Sequence, residues 1–270
     1  MSESVPQAII EAVEILRASG LVIDDWTVLG SSSRVVLALR PCHWVARVAQ
    51  LDALTRLARE LAVAAHVASV GGPVAPPAAS PGPYLGATVA VTLWQPLTAL
   101  GQLTEAAVGN AYVELRRSLD SFAGALPDFR EEIRAASRQA AEASLPGVSQ
   151  ADAVFLRDTL ASSESLLSPF SWNSVALHGD AHSGNVINTT DGPRWFDFES
   201  ACAGPVEWDL SALSECPSGI EHNRDLLRTL VTLRRAAVVL WCAMKPNPSA
   251  AESEAFSHHL AALRAGTMEM

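Results

Sequence analysis

Lysine is almost absent from this sequence. Only one of its 19 basic residues is a lysine, Lys245, so any role that a lysine usually fills earlier in the chain must fall to an arginine. Basic residues are also few in total: 19 stand against 29 acidic residues, giving a formal net charge of −10 and a pI near 5.1. A basic face able to hold nucleic acid phosphates is therefore not expected, and we predict no nucleic acid partner.

Long apolar runs and cysteine motifs are lacking too. The apolar run at residues 236–244 has nine residues, whereas a membrane-spanning helix needs roughly 20, so no membrane partner is predicted. Residues 1–16 carry glutamates and no basic stretch, which is unlike a secretory signal, so we predict a cytoplasmic protein. The four cysteines include no C-x-x-C pair and are expected to be free thiols.

The first third of the chain alternates helical and strand-like patterns. Apolar residues recur at helical intervals over residues 5–16, and residues 51–70 are rich in good helix formers. Strand-like runs rich in β-branched residues occupy residues 26–29, 34–39, 44–48 and 88–93, with turn residues between the first three. This order predicts an antiparallel sheet with one or two helices, forming a lobe over residues 1–96.

The remainder, residues 97–270, is predicted to form a mostly helical lobe. Helical periodicity covers residues 103–125 and 129–143, and further helices are expected at residues 208–213, 224–244 and 252–264. Short strands are predicted at residues 175–177, 186–188 and 195–198, around a turn at Asp191 and Gly192. The fold class is therefore α+β, with two lobes.

The densest polar cluster of the sequence lies among these short strands. It reads H-G-D-A-H-S-G-N over residues 178–185, and D-F-E follows at residues 197–199. Phosphoryl transfer from a nucleotide needs a group that positions or deprotonates the acceptor hydroxyl, and oxygen ligands for Mg²⁺. Asp180, Asn185 and Asp197 supply that set. The step from Asp180 to Asn185 equals that of the protein kinase catalytic loop, and Asp197 then takes the place of the metal-binding D-F-G aspartate.

These motifs, with G-P at residues 204–205 and E-W-D-L at residues 207–210, resemble the aminoglycoside phosphotransferase and choline kinase family. The resemblance implies a two-lobed, protein-kinase-like fold with ATP between the lobes and a hydroxyl of a small molecule as phosphate acceptor. It also implies that Asp180 is the catalytic base and that Asn185 and Asp197 bind Mg²⁺. His178 would anchor the loop, and Asp209 would brace it by accepting hydrogen bonds from its backbone.

The same resemblance assigns nucleotide-binding positions in the first lobe. Arg47 stands where the family has a lysine that contacts the phosphates, and its predicted helix partner is Glu60. Ser31, Ser32 and Ser33 occupy the loop that flanks the nucleotide, and Leu93, Trp94 and Gln95 occupy the hinge whose backbone would contact adenine. An arginine can contact phosphates through two nitrogens and keeps its charge, so the phosphate contact is chemically feasible.

Several residues allow a purely structural interpretation. Glu60 is placed equally well for a surface pair with Arg56 one helical turn before it. Strand alternation puts Arg47 on the face of Val45 but does not say which face of the sheet is buried. His182 is expected to pack within the loop, and Glu199 fits either a supporting role at the metal site or a solvated one.

Two other functions stay open at this stage. His178, Asp180 and His182 have spacing suited to a transition metal in a hydrolase, but that interpretation gives Asn185 and Asp209 no role. A kinase-like module that binds nucleotide without turnover is the second. For an active enzyme, the acidic net charge is compatible with a cationic acceptor, such as an aminoglycoside-like antibiotic, which would imply antibiotic resistance, or an amino alcohol or amino sugar. Its pocket is expected within residues 103–171.

Overall fold

The computed structural model describes residues 4–31, 34–142, 145, 147–245 and 248–266. The helices of these residues are α1 (Ser4–Ala18), α2 (Leu54–Ser69), α3 (Glu105–Leu119), α4 (Arg130–Glu142), α5 (Gln150–Ala161), α6 (Ser163–Leu167), α7 (Val206–Leu210), α8 (Arg224–Met244) and α9 (Ala250–Ala265). The strands are β1 (Ile23–Ser31), β2 (Val35–Pro41), β3 (Val45–Gln50), β4 (Tyr84–Leu85), β5 (Val89–Trp94), β6 (Val175–Leu177), β7 (Val186–Thr189), β8 (Gly192–Trp195) and β9 (Cys202–Gly204). None of the described helices is both long enough and apolar enough to cross a membrane.

The chain forms two compact units, and the first is not continuous in sequence. It contains the chain up to Gly124 together with Ser183–Ala201, whereas the second contains Ala125–His182 and the chain from Cys202 onward. The hairpin of β7 and β8 therefore belongs to the first unit, although most of its sequence neighbours belong to the second. The boundary at residue 96 rests on sequence character and stays a prediction.

A five-stranded antiparallel sheet is the centre of the first unit. Its strand order is β1-β2-β3-β5-β4, so the predicted antiparallel meander is present. Helix α1 covers one face, where Leu16 packs with Leu37, Ala46 and Val48 in the core. Because side chains alternate along a strand, Arg47 between Ala46 and Val48 points to the opposite face. This placement answers the question that the sequence left open.

The opposite face of the sheet carries α2. The β7–β8 hairpin forms a separate two-stranded sheet in the same unit. Leu57 of α2 packs on Ala49 and Ala90. The hairpin is fixed by the fully buried Trp195, whose backbone N–H and C=O are bonded to the segment at residues 73–75 at 2.9 and 2.7 Å. The strand predicted at residues 195–198 is wrong beyond Trp195. Asp197 there has left-handed backbone angles, and a 3₁₀ turn at Phe198–Ser200 follows, which extended backbone cannot accommodate.

The second unit is mostly helical. Its core forms around α8, which buries Leu226, Leu230, Leu233 and Leu240 against residues of α4, α5 and α9. The predicted core helix at residues 224–244 is therefore confirmed, whereas the helix predicted at residues 208–213 is α7, which begins directly after Pro205 and ends earlier. Strands β6 and β9 pair antiparallel within this unit. Together with the sheet of the first unit, this confirms the predicted α+β class.

Candidate active site

A network of charged side chains lies on the α2 face of the first unit's sheet. Arg47 of β3 donates to Oε1 of Glu60 through Nη1, and its Nη2 lies 3.0 Å from Oδ1 of Asp197. Glu60 is completely buried on α2, so the surface pairing with Arg56 is not the observed arrangement. The predicted pair of Arg47 with Glu60 is present, and the guanidinium joins it directly to Asp197.

A second arginine belongs to the same network. Arg34 precedes β2, is buried, and donates from Nη1 to Oε2 of Glu60 at 2.8 Å. Its Nη2 pairs with Glu199 and lies 3.5 Å from Oδ1 of Asp197. Sequence reasoning did not assign Arg34, and it left Glu199 between a supporting and a solvated role. The structure pairs Glu199 with this buried cation.

The network places three carboxylates against two guanidinium groups. Burial lowers the pKa of Arg47, but the charges of Glu60 and Asp197 raise it by more, so the net shift is upward. Arg47 therefore keeps its positive charge at any pH at which the protein is folded. Arg59 adds a third guanidinium at the edge of the network, where Nη2 donates to the backbone carbonyl of Glu199, so positive and negative side chains are equal in number.

Asn185 and Asp197 lie at the same end of the β7–β8 hairpin. Val186 pairs with Trp195, and the N–H of Phe196 donates to the carbonyl of Asn185 at 3.0 Å. The antiparallel ladder therefore brings the residue before β7 beside the residues that follow β8. An amide oxygen and a carboxylate are the hard ligands that suit Mg²⁺, which usually takes only one or two protein ligands besides phosphates. The donor set of this hairpin end thus fits a magnesium ion.

The backbone of Asp197 is unusual. Its φ of 66° and ψ of 54° lie in the left-handed region, which few residues other than glycine adopt. Aspartate and asparagine occur there several times more often than most side chains. The conformation ends the hairpin and starts the 3₁₀ turn that carries Glu199, so it helps to aim both carboxylates at Arg34 and Arg47.

A cavity of about 300 Å³ opens beside this network, entirely within the first unit. That volume is at the lower end of small-ligand pockets. Its polar wall includes Arg34, Arg47, Asp197 and Gln95. The apolar wall is formed by these lining residues: Leu29, Val36, Val45, Ala75, Trp94, Leu97, Ile187 and Phe196. A ligand with a flat apolar group and an anionic tail would match the apolar wall and the arginines of the polar wall.

The hinge residues predicted from sequence differ in their access to this cavity. Trp94 and Gln95 line it, whereas the side chain of Leu93 packs in the core on the other face of the sheet. The N–H of Leu93 donates to Pro81 and that of Gln95 to Pro76, at 2.9 and 3.0 Å. A bound ligand would therefore meet the Trp94 ring and the segment from Gln95 to Leu97 rather than these two amides.

The nucleotide-flanking loop is only partly described. Ser31 ends β1, and Ser32 and Ser33 lie outside the described residues. The roles assigned to these three serines stay predictions.

Residues 178–182, the first part of the predicted catalytic loop, belong to the second unit, and Asp209 holds their backbone. The carboxylate of Asp209 is completely buried and accepts from the N–H groups of His178 and Gly179, each at 2.8 Å. His178 is also buried, and its Nδ1 lies 3.3 Å from the N–H of Asp180. These contacts are those expected of a loop anchor and a brace.

Asp180 is partly exposed and lies beside basic side chains of the second unit. His182 Nε2 lies 3.4 Å from its Oδ2, and Arg234 Nη1 lies 3.5 Å from its Oδ1. Burial raises the pKa of Asp180, but the hydrogen bond from His182 and the charges of His182, Arg234 and His178 lower it by more. Asp180 is therefore an ionised carboxylate at neutral pH, ready to accept a hydrogen bond. His182 contacts this carboxylate, although it was expected only to pack.

The alternative metal cluster has no counterpart in the geometry. Over the part of the chain that the structure describes, no three His, Cys, Asp or Glu side chains are gathered closely enough to hold a metal ion. His178 and His182 instead make contacts with Asp180.

Solved structures with the same fold support this assignment of elements. Amicoumacin kinase hAmiN, in complex with AMP-PNP, Ca²⁺ and Ami, is 13% identical with a TM-score of 0.71, over 99% of this chain and 97% of that one. Choline kinase LicA from Streptococcus pneumoniae is 14% identical with a TM-score of 0.66, over 95% and 99%. The GDP and kanamycin complex of APH(2")-IIia is 15% identical with a TM-score of 0.63, over 94% and 97%.

These likenesses confirm the protein-kinase-like fold expected from the sequence motifs. None of the curated protein sequences compared with the chain matches it. A family model described as "APH: Phosphotransferase enzyme family" matches residues 28–237, a span that includes Arg47, Glu60, the catalytic loop and Asp197. Since this match covers most of the chain and the fold agrees with it, the protein belongs to the APH phosphotransferase family, as the H-G-D-A-H-S-G-N motif predicted.

Proposed function

We propose that the protein transfers the γ-phosphate of ATP to a hydroxyl group of a small molecule. The observation that carries this proposal is the joining of Glu60, Arg47 and Asp197 in one network beside an apolar cavity. That arrangement provides a cation for phosphates, an acidic residue for a metal and an apolar surface for a base within a single unit. Family membership and the nucleotide-bound relatives support the same reading.

In this proposal the nucleotide occupies the cavity of the first unit. Trp94, Val36 and Phe196 enclose the adenine ring, and the segment from Gln95 to Leu97 provides backbone groups for its edge. Arg47 contacts the phosphates that are not transferred, with Glu60 fixing its orientation. Such fixed charges stabilise a phosphoryl transfer without having to reorganise during the reaction.

Asn185 and Asp197 would hold Mg²⁺. The metal, when bound, neutralises charge on the phosphate oxygens. To bind the metal, Asp197 would give up part of its contact with Arg47. Glu60 and Glu199 would keep Arg34 and Arg47 in place.

Asp180 would orient the acceptor hydroxyl and accept its proton. A carboxylate with a lowered pKa is a weak base, which suits phosphoryl transfer because the transition state is loose and the proton leaves late. Positioning of the hydroxyl is then the larger part of its contribution.

For the acceptor we propose a hydroxylated cation, such as an aminoglycoside-like antibiotic, an amino alcohol or an amino sugar. Two of the similar solved structures are an amicoumacin kinase and a choline kinase, and a third is a complex with GDP and kanamycin. The net charge of −10 favours a cation in general terms. Among the acidic residues of the predicted acceptor region, Glu114, Asp120, Asp128, Glu131 and Glu132 are the candidates. Asp120 and Asp128 are paired with Arg116 and Arg130.

The test is Mg²⁺-dependent phosphate transfer from ATP and, separately, GTP to a panel of aminoglycosides, amino alcohols and sugars. We expect one class to accept phosphate and Asp180→Asn to lower kcat by at least about 10²-fold with nucleotide affinity unchanged. Asp191→Asn, at the exposed turn of the β7–β8 hairpin, is the matched control and should retain full activity. Wild-type turnover in Asp180→Asn would contradict the proposed base.

Nucleotide binding without transfer to any member of the panel would favour the non-catalytic module. Arg47 in place of the family lysine is the observation that keeps this second function under test. The same samples separate the two, because AMP-PNP affinity is measured by calorimetry before any acceptor is added.

A further inference from the structure

Arg234 is a buried cation that neither the sequence analysis nor the proposed function assigns. It lies on α8 and is only 4% exposed. Its spacing from Leu227, Leu230 and Ala237 puts it on the apolar stripe of the helix, where these neighbours pack in the core. A charge in such a place is costly unless all of its polar groups have partners, and replacing it by an apolar side chain is often neutral or stabilising. Stability alone is therefore a poor reason for an arginine here.

The guanidinium is oriented by contacts on two of its sides. Nε donates to Oγ of Ser211 at 2.7 Å, and Nη2 donates to the carbonyl of Trp208 at 2.7 Å. Its carbon lies 3.8 Å from the centre of the Trp208 ring, within cation–π distance. These contacts hold the guanidinium of Arg234 against α7 and the turn that follows α7.

The remaining contacts of Arg234 reach the catalytic loop. Nη2 also donates to the carbonyl of Gly179 at 3.1 Å, and Nη1 lies 3.5 Å from Oδ1 of Asp180. Gly179 has a φ of 87°, a conformation that favours glycine. Its N–H is bonded to Asp209 and its carbonyl to Arg234, so both polar groups of the residue before Asp180 are fixed.

We propose that Arg234 is the positioning residue of Asp180: it fixes the carboxylate through Oδ1 and through the Gly179 carbonyl, and Oδ2, beside His182, is the oxygen that meets the acceptor hydroxyl. This inference rests on the proposed function, since it requires Asp180 to act on that hydroxyl. Asp209 holds the N–H side of the loop, and Arg234 holds the carbonyl side. The loop conformation therefore depends on two side chains from α7 and α8.

The charge of Arg234 also acts on Asp180. The positive groups that face the Asp180 carboxylate are Arg234, His182 and His178. Four acidic or thiol side chains face Arg234: Asp180, Asp209, Cys202 and Glu132. Removal of Arg234 takes one cation away and leaves the carboxylates. The pKa of Asp180 then rises, and the ionised form is lost at a higher pH than in the wild type.

The experiment compares Arg234→Met and Arg234→Lys with the wild type, using the acceptor identified by the transfer assay. We expect Arg234→Met to lower kcat by about 10²-fold, since a displacement of about 1 Å of a catalytic group can cost that much. The KM for ATP should change little, because the nucleotide residues belong to the other unit. The acid limb of the kcat profile should move to higher pH, and Arg234→Lys should restore part of the rate.

Two further variants separate positioning from folding. Arg228→Gln changes an exposed arginine of the same helix, which pairs with Asp225, and it should keep wild-type kcat. Ser211→Ala removes the Nε anchor but keeps the charge, so a smaller loss of kcat with an unmoved acid limb is expected. Thermal unfolding and AMP-PNP affinity report whether each variant is folded.

A failure of this inference can be distinguished from a failure of the proposed function. If the wild type transfers phosphate and Asp180→Asn does not, the function stands, and the Arg234 variants then test the inference alone. A folded Arg234→Met with wild-type kcat and an unmoved acid limb overturns the positioning role. The role is also overturned if kcat of Arg234→Met falls only in proportion to the loss of folded protein and Ser211→Ala shows no loss of kcat. Arg234 would then be only structural.

Discussion

At the scale of single residues, Arg47 shows what an arginine contacts at a position where the resemblance to the family led us to expect a lysine. Its two terminal nitrogens contact different carboxylates, Nη1 that of Glu60 and Nη2 that of Asp197. A lysine offers one nitrogen on a flexible stem, so it cannot reproduce this forked contact. The site is therefore adapted to the guanidinium, and the Trp94 ring 5.7 Å from its carbon adds a cation–π contact.

We accordingly expect Arg47→Lys to weaken binding of Mg²⁺-AMP-PNP by about tenfold, which equals the loss of one hydrogen bond between charged groups. Isothermal titration calorimetry measures this directly. Arg40→Lys is the matched control because Arg40 is exposed on β2 and pairs with Asp25. Unchanged or tighter binding in Arg47→Lys would show that the arginine is not adapted to the nucleotide.

At the scale of elements, Glu60 connects α2 to the sheet. Its two oxygens accept from Arg34 before β2 and from Arg47 on β3, and its side chain has no solvent exposure. Removing this carboxylate leaves two buried guanidinium groups facing each other with one fewer negative charge. Burying a charge without its partner is among the most costly changes in a protein.

Glu60→Ala should therefore lower the free energy of unfolding by about 3–5 kcal/mol. Glu60→Gln should cost less, since the amide oxygen still accepts one hydrogen bond. Urea unfolding at constant pH gives both values, with the exposed Glu14→Ala on α1 as control. If Glu60→Ala lowers the free energy of unfolding no more than Glu14→Ala does, Arg34 and Arg47 find other partners.

Sequence spacing predicted that Asn185 and Asp197 flank one hairpin, because its two strands and turn lie within one short segment. The Asp209 bonds to the backbone of His178 and Gly179 span 31 and 30 positions, and they were expected only from the resemblance to the family. Arg34 and Arg234 were not predicted, because their partners depend on how α2 and α8 pack. One signal for Arg234 was available: it is a charged residue on the otherwise apolar stripe of α8. The end of β8 was missed because a left-handed aspartate leaves no pattern in composition.

At the scale of the whole molecule, the two units separate the residues assigned to the nucleotide and metal from the residue assigned to the acceptor. Arg47, Asn185 and Asp197 belong to the first unit, and Asp180 belongs to the second. Ligand binding stabilises the folded state by an amount set by concentration and affinity, whichever unit provides the contacts. Variants of the two units should thus differ in their response to nucleotide.

Mg²⁺-AMP-PNP at 100 times its Kd should stabilise the wild type by about 2.7 kcal/mol, seen as a rise in Tm. Asp197→Asn should abolish most of this rise, because asparagine keeps the left-handed backbone but removes the charge proposed to bind Mg²⁺. Asp180→Asn should keep it in full. An equal rise in Asp197→Asn and in the wild type would place the metal elsewhere.

The interrupted course of the first unit has a consequence for biosynthesis. Trp195, which joins the hairpin to residues 73–75, is translated long after the sheet, when α4, α5 and α6 of the second unit have already been made. The emerging sheet must therefore leave a complementary surface open until the hairpin arrives, and a fragment that stops at Gly124 lacks both Trp195 and the residues proposed to bind the metal. Exposed apolar surface of this kind invites aggregation or chaperone binding during synthesis. The order in which the ribosome delivers the chain thus makes the proposed nucleotide site one of the last parts of its unit to be completed.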